Sequence, residues 1–177
     1  NGPMFEQFLA KGIAIAGIDV GESFGSPDGR AHYSKLHQHL VEKRGMAKKA
    51  CLMARSRGGL MLYNWAVEHP ESVACIVGVY PVGNLTSYPG LPRAAGAYKI
   101  SAEQLGAKLK MHNPVERLAP LAKAKVPIFH IHGDRDKVVP LEANSGLIKE
   151  RYEALGGKMT LEVVPGKGCL LYTSDAA

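Results

Sequence analysis

The chain has 177 residues, 46% of them hydrophobic, with 22 Lys and Arg against 16 Asp and Glu for a net charge of +6. That length and apolar share suit one globular core, and no apolar run reaches the roughly 18 residues of a membrane span, so the reading is of a soluble chain without a membrane partner. The basic residues are scattered rather than interleaved with aromatics, which argues against a nucleic-acid partner. Three widely spaced Cys form neither a metal nor a disulfide pattern, and Cys51 and Cys75, in apolar runs, read as buried free thiols. Cellular location and oligomeric state are not legible, since Asn1 opens the chain without a Met.

In chain order, IAIAGI (Ile13–Ile18) is a short apolar run that ends at Asp19. RAHYSKLHQHLVEKRG predicts a helix with Tyr33, Leu36, His37, Leu40 and Val41 on one face, stopped by Gly45. ACLMA (Ala50–Ala54) is a strand, and a helix runs from Leu60 to about His69, where Pro70 blocks it. VACIVGVY (Val73–Tyr80) is a strand of buried character. The segment of about 81–125 holds five prolines and a capping box, Ser101 with Gln104, and reads as an insertion over one edge of the sheet. VPIFHIH (Val126–His132) is the next strand. A helix from near Leu141 then carries Leu147, Ile148, Tyr152 and Leu155 and ends at Gly156–Gly157, before a last strand at Met159–Val164. Runs of this kind suit strands buried on both faces. The alternation predicts the α/β class: a three-layer α/β/α sandwich around a mostly parallel sheet.

Two motifs carry chemistry. In MARSRGGLML, Ser56 stands at the join of a strand and a helix, with Ala54 two before it, Gly58 two after it and Gly59 next. A nucleophile on a sharp strand-to-helix turn needs small flanking residues, and the turn aims a helix N-terminus at the hydroxyl. The competing reading is an ordinary Ser N-cap, since Ala stands where the first Gly is usual. In HIHGDRDKVVP, Asp134 and Asp136 lie beyond the C-terminal end of a strand, the edge where open α/β sheets carry their sites.

Together these motifs resemble the α/β-hydrolase family, closest to its dienelactone-hydrolase-like esterases and prolyl-oligopeptidase-like serine peptidases, over Asn1 to about Gly168. The chain is read as a partial domain of that kind. The resemblance implies Ser56 as nucleophile, Asp136 as triad acid and Asp134 as a brace for the loop. It implies an oxyanion site from the Arg57 N–H, with Asn1 or Gly2, in NGPMFEQF, near the second donor. The third member is a His in the turn after the last strand, here PGKG (Pro165–Gly168); Cys169 stands at the next position. CLLYTSDAA (Cys169–Ala177) reads back as TGTCTCTTATACACATCTGACGCTGCC, a transposase-type sequencing adapter, and is set aside as a non-native tail.

The expected activity of the intact parent is therefore acyl hydrolysis without a cofactor, on a small ester or peptide. A carboxylic ester is preferred because the insertion is short; a serine peptidase is the alternative. The chain as given, lacking the base, is expected to be inactive. Tyr80, Tyr88 and Tyr98 are candidate pocket walls, with core packing as the plainer account. Arg55 and Arg57 either attract an anionic acyl group or are simply solvated, the preferred reading. Two rival classes stand. HIHGD, through His130 and His132, resembles a metal-ligand spacing, but no second ligand cluster matches it, so no metal site is assigned. A non-catalytic relative used for binding is the other. His32 and His39 read as solvated, His37 as packing, and His69 as facing a helix end.

Overall fold

The computed structural model describes residues 2–168. Four parallel strands form one sheet in the order β1 (Ala50–Arg55), β2 (Val73–Val79), β3 (Ile128–Gly133) and β4 (Met159–Val164). Helix α1 (Gly2–Ala10) buries none of its residues. α2 (Pro27–Arg44) starts at Ser26, whose hydroxyl accepts the Gly29 N–H, and stops at Gly45, which takes the left-handed φ of 64° that ends helices cheaply. α3 (Gly58–Glu68) follows β1 directly, and its residues from Gly59 to Val67 are all buried. A helix apolar all round belongs at the centre of a core, and α3 supplies Met61, Leu62, Tyr63, Trp65 and Val67 to the main cluster.

Between β2 and β3 the chain forms α4 (Leu91–Tyr98), α5 (Ala102–Ala107), α6 (Leu109–His112) and α7 (Ala119–Lys123). The capping box at Ser101 and Gln104 is present at α5. α4 and α5 supply Ala94, Tyr98 and Leu105 to a second cluster that also holds Leu85 and Val139, while α7 gives Leu121 and Ala122 to the main one. After β3 one wide π-type turn (Glu142–Gly146) leads into α8 (Leu147–Ala154).

The strand order explains which face of the sheet is covered. Each strand steps to the next in one direction, and parallel crossovers are right-handed, so successive connections fall on the same side. Ile76, Ile128, His130, His132 and Met159 point to that side and are buried. Their neighbours on the opposite side are not: Met53 is 40% and Phe129 36% exposed. Strands buried on both faces were the expectation; among the described residues the burial alternates instead. The molecule is α/β, a parallel sheet flanked by helices, and α3 and α8 form one helical layer of the expected sandwich.

Two further expectations change. Ile13–Ile18 forms no strand. Ala14–Gly17 and Ala50–Met53 line a common cavity of about 350 Å³, and among the described residues the segment pairs with no strand. Cys51 and Cys75 are not free thiols: they sit opposite one another in the β1–β2 register, with Cα atoms 4.6 Å apart, and are joined as a disulfide. No helix of the described residues is long and apolar enough to cross a membrane.

Candidate active site

Ser56 stands between β1 and α3 with φ 52°. A non-glycine residue in that region is strained and persists only where its surroundings fix it. Here they do. The Ser56 N–H donates to the Val79 carbonyl at 3.1 Å, and its own carbonyl accepts from Gly59 N at 3.0 Å and Val82 N at 2.8 Å. Ser56 is thereby pinned to the loop that leaves β2. Gly58 and Gly59 divide the work unequally. A Cβ on Gly58 would meet the Ala54 Cβ at an ordinary 3.7 Å, whereas one on Gly59 would lie 2.4 Å from the Val82 carbonyl oxygen and 2.8 Å from the Pro81 Cβ. Gly59, not the flanking Gly58, admits the close approach.

Arg57 precedes α3, the place from which its N–H can serve an anion at a helix N-terminus. Its guanidinium pairs with the Glu22 carboxylate, which also holds Arg93 at 3.4 Å. The Arg55 guanidinium lies 5.9 Å from the centre of the Tyr80 ring. The arginines at the turn are thus paired rather than left as a free cationic patch. Gly2 opens the exposed α1, and a Cβ there would meet nothing within 4 Å.

The acid loop follows β3. Asp136 is buried, and its Oδ1 accepts the N–H of Val138 at 2.9 Å and of Val139 at 2.8 Å. Its Oδ2 is buried with no hydrogen-bond partner among the described residues, 3.7 Å from His132 Nε2. Asp134 does something different. Its Oδ1 accepts the Gly166 N–H at 2.6 Å, tying the acid loop to the turn after β4. The Arg135 N–H donates to the Lys167 carbonyl at 2.9 Å. A Cβ on Gly133 would lie 2.1 Å from that same oxygen. The turn at 165–168 is therefore clamped against the loop that carries Asp136. The base expected beyond Gly168 falls on residues outside those described.

His130 and His132 share one face of β3 and are fully buried. His130 Nε2 meets the Tyr63 hydroxyl at 2.7 Å and its Nδ1 the Ser145 hydroxyl at 2.9 Å. His132 Nδ1 meets the same hydroxyl at 2.8 Å, and its Nε2 the Val139 carbonyl at 2.8 Å. All four ring nitrogens are in use, which removes the lone pairs the metal-ligand reading of HIHGD needs. Burial, first, and the neighbouring His132 push the His130 pKa down to about 3; burial likewise lowers that of His132.

The other candidates sort as follows. Tyr80 comes immediately after β2 at φ 37°, buried, with its ring edge toward His132. Tyr88 is half-buried and packs on the second cluster. Tyr98 is a strut, its hydroxyl donating to the Phe24 carbonyl at 2.9 Å. His32 and His39 are exposed. His37 meets the Lys48 carbonyl at 2.9 Å, and His69 meets the Ser34 hydroxyl at 3.4 Å. Two important residues escape sequence reasoning. The Asn144 side-chain oxygen accepts the N–H of Gly83 at 3.0 Å and of Asn84 at 3.2 Å, while its amide donates to the Pro140 carbonyl at 2.9 Å. Ser145, next to it, bridges the two histidines. No period or motif marks either one.

No curated protein matches the chain. Among solved structures it resembles the dipeptidyl peptidase 4 of Porphyromonas gingivalis at 13% identity and a TM-score of 0.69, over 82% of this chain and 20% of that one. It resembles the acylaminoacyl peptidase of Pyrococcus horikoshii at 18% identity and 0.65, over 85% and 24%. A thermostable esterase matches at 18% identity and 0.54, over 76% and 28%. The chain thus spans between 20% and 28% of the length of these proteins. The family model of the prolyl oligopeptidases, Peptidase_S9, matches residues 32–174. This match, over most of the chain and on an α/β sheet of the same kind, makes the chain a member of the prolyl oligopeptidase family.

Proposed function

We propose that the intact protein is a serine peptidase in which Ser56 attacks the acyl carbonyl and Asp136 orients a histidine contributed after the turn at 165–168. The observation that carries this reading is the Asp136 carboxylate. One oxygen is fixed by two backbone N–H groups, and the other is buried and unpartnered among the described residues. Leaving a buried carboxylate oxygen unmatched costs stability, so such a group calls for an explanation, and a catalytic role is the one proposed. The turn clamped to this loop by Asp134 and Arg135 lies where the base would have to arrive.

The base takes the Ser56 proton as the acyl bond is attacked and returns it to the leaving group; water then hydrolyses the acyl-enzyme. The Arg57 N–H, at the start of α3, is one oxyanion donor, and Gly2 remains the proposed neighbour of the second. Tyr80, at the C-terminal end of β2, and Tyr88 remain proposed pocket walls. Family membership favours a peptide over the ester suggested by a short insertion. The likeness to an esterase keeps the ester as a second reading. In the 177-residue chain Cys169 occupies the position expected for the base, and that chain is proposed to be inactive.

The full-length protein decides between them by its relative kcat/KM on peptide anilides and on p-nitrophenyl esters. Faster ester turnover with no anilide cleavage overturns the peptidase reading. Failure of a fluorophosphonate to label Ser56 overturns the mechanism altogether.

A further inference from the structure

The hydroxyl and imidazole groups beneath the sheet have only one consistent arrangement of protons. The Val139 carbonyl can only accept, so His132 carries its hydrogen on Nε2. The ring is fully buried and burial holds it neutral, so Nδ1 is a lone pair and Ser145 donates to it. Ser145 has one hydrogen. Its second contact must run the other way, from His130 Nδ1–H to the Ser145 oxygen. His130 Nε2 is then a lone pair, and the Tyr63 hydroxyl donates to it. The chain runs from Tyr63 through His130, Ser145 and His132 to Val139, with every ring nitrogen matched.

Both ends of this chain bear on the site. Tyr63 belongs to α3, the helix that begins at the elbow. Val139 has both its backbone groups committed: its carbonyl to His132 and its N–H to Asp136 Oδ1. We propose that His132 is a positioning residue for Asp136: by donating to the Val139 carbonyl it fixes the backbone that holds Oδ1, and so aims Oδ2. The proposal rests on the serine-hydrolase reading of Ser56 and Asp136. Through this chain of hydrogen bonds a change at Tyr63 or Ser145 is passed to Asp136 by way of His132.

The test compares two substitutions in the full-length protein. His132→Gln keeps an N–H where Nε2 stood. His132→Asn places its amide at the Nδ1 position and leaves the Val139 carbonyl without a donor. The Gln variant is expected to keep kcat within about threefold. The Asn variant is expected to lose on the order of 100-fold in kcat at unchanged KM, the usual effect of a displacement of about 1 Å in a catalytic group. Its acid limb in the kcat/KM profile is expected to move to lower pH, because a displaced carboxylate stabilises the imidazolium of the base less. Nitrogen-15 NMR of the wild-type protein is expected to show His132 protonated on Nε2 and His130 on Nδ1, a readout that needs no variant to fold. The opposite tautomer at His132 overturns the proposal, as does an Asn variant with the kcat and acid limb of the Gln variant. Absence of fluorophosphonate labelling at Ser56 overturns this proposal together with the mechanism. Labelling with unaltered Asn kinetics overturns this proposal alone.

Discussion

At the elbow, Ser56 is held by backbone against backbone. Its N–H and carbonyl go to Val79, Gly59 and Val82, and Gly59 lies too close to the Pro81–Val82 backbone for a methyl group to fit. At the acid loop, Asp136 is held by polar groups that each need the next: two N–H donors, a carbonyl matched to His132, and a serine shared by two histidines. Both sit at the C-terminal ends of strands in one sheet. The elbow depends on close backbone approach at Gly59, whereas the acid loop depends on a matched set of donors and acceptors. The difference follows from what each must do. A nucleophile needs its strained φ kept against relaxation, which packing provides. A carboxylate needs its direction kept, which hydrogen bonds provide.

The largest expected effect tests the elbow's chemistry. Ser56→Ala in the full-length protein is expected to lower kcat on the order of 10⁶-fold and to abolish fluorophosphonate labelling, with little change in the unfolding midpoint. Labelling that survives the substitution places the nucleophile elsewhere. Next comes the division of labour within the acid loop. Asp136→Asn is expected to lower kcat on the order of 10⁴-fold. Asp134→Asn, which alters only a brace to Gly166, should act mainly on stability. Equal losses in kcat would break the assignment.

The buried histidines give the acid loop a pH dependence that the elbow lacks. Their pKa values lie below the ordinary 6.5, that of His130 near 3. The unfolded chain therefore binds more protons than the folded one as pH falls below 6.5. The stability these neutral rings contribute is complete above that value and is lost on acidification. Between pH 6.5 and 5 the slope from His130 approaches about 1.4 kcal/mol per pH unit, and His132 adds to it in the same direction. Urea unfolding across that window measures it, and a flat profile would show that the rings are not held neutral. The smallest effects separate the two glycines of the elbow. Gly59→Ala, which must push back the Val82 carbonyl, is expected to cost about 1–3 kcal/mol in thermal unfolding. Gly58→Ala should stay within about 0.5 kcal/mol. If the two variants melt alike, close backbone approach does not hold the elbow.

Much of this was legible because it is local. The turn at Ser56 needs small neighbours within three positions, and the acid pair lies within five residues of a strand end. The boundaries of α2 were written by Gly45 and by the spacing of Tyr33, Leu36 and Leu40. What was not legible depends on residues far apart in the chain. Gly59 matters because Pro81 and Val82 return to it. Asn144 and Ser145 look like ordinary polar residues of a helix start, and only the fold brings Gly83 and His130 to them. Ile13–Ile18 has the pattern of a strand but no adjacent strand to complete it. One-sided burial of the sheet follows from strand order, which no local pattern encodes. Cys51 and Cys75 are paired by the β1–β2 register rather than by their spacing.

The strand order also bears on the time course of folding. Among the described residues each strand from β2 on pairs with the one made before it, so these four can add in the order of synthesis. The elbow can be laid down as soon as β2 emerges, whereas the acid loop needs β3 and the clamp at Gly166 needs β4. The hundred or so residues from Ser56 to Gly168 take on the order of 10 s to make. For that interval a growing chain carries the Ser56 turn before the Asp136 loop and the turn at 165–168 that clamps it exist.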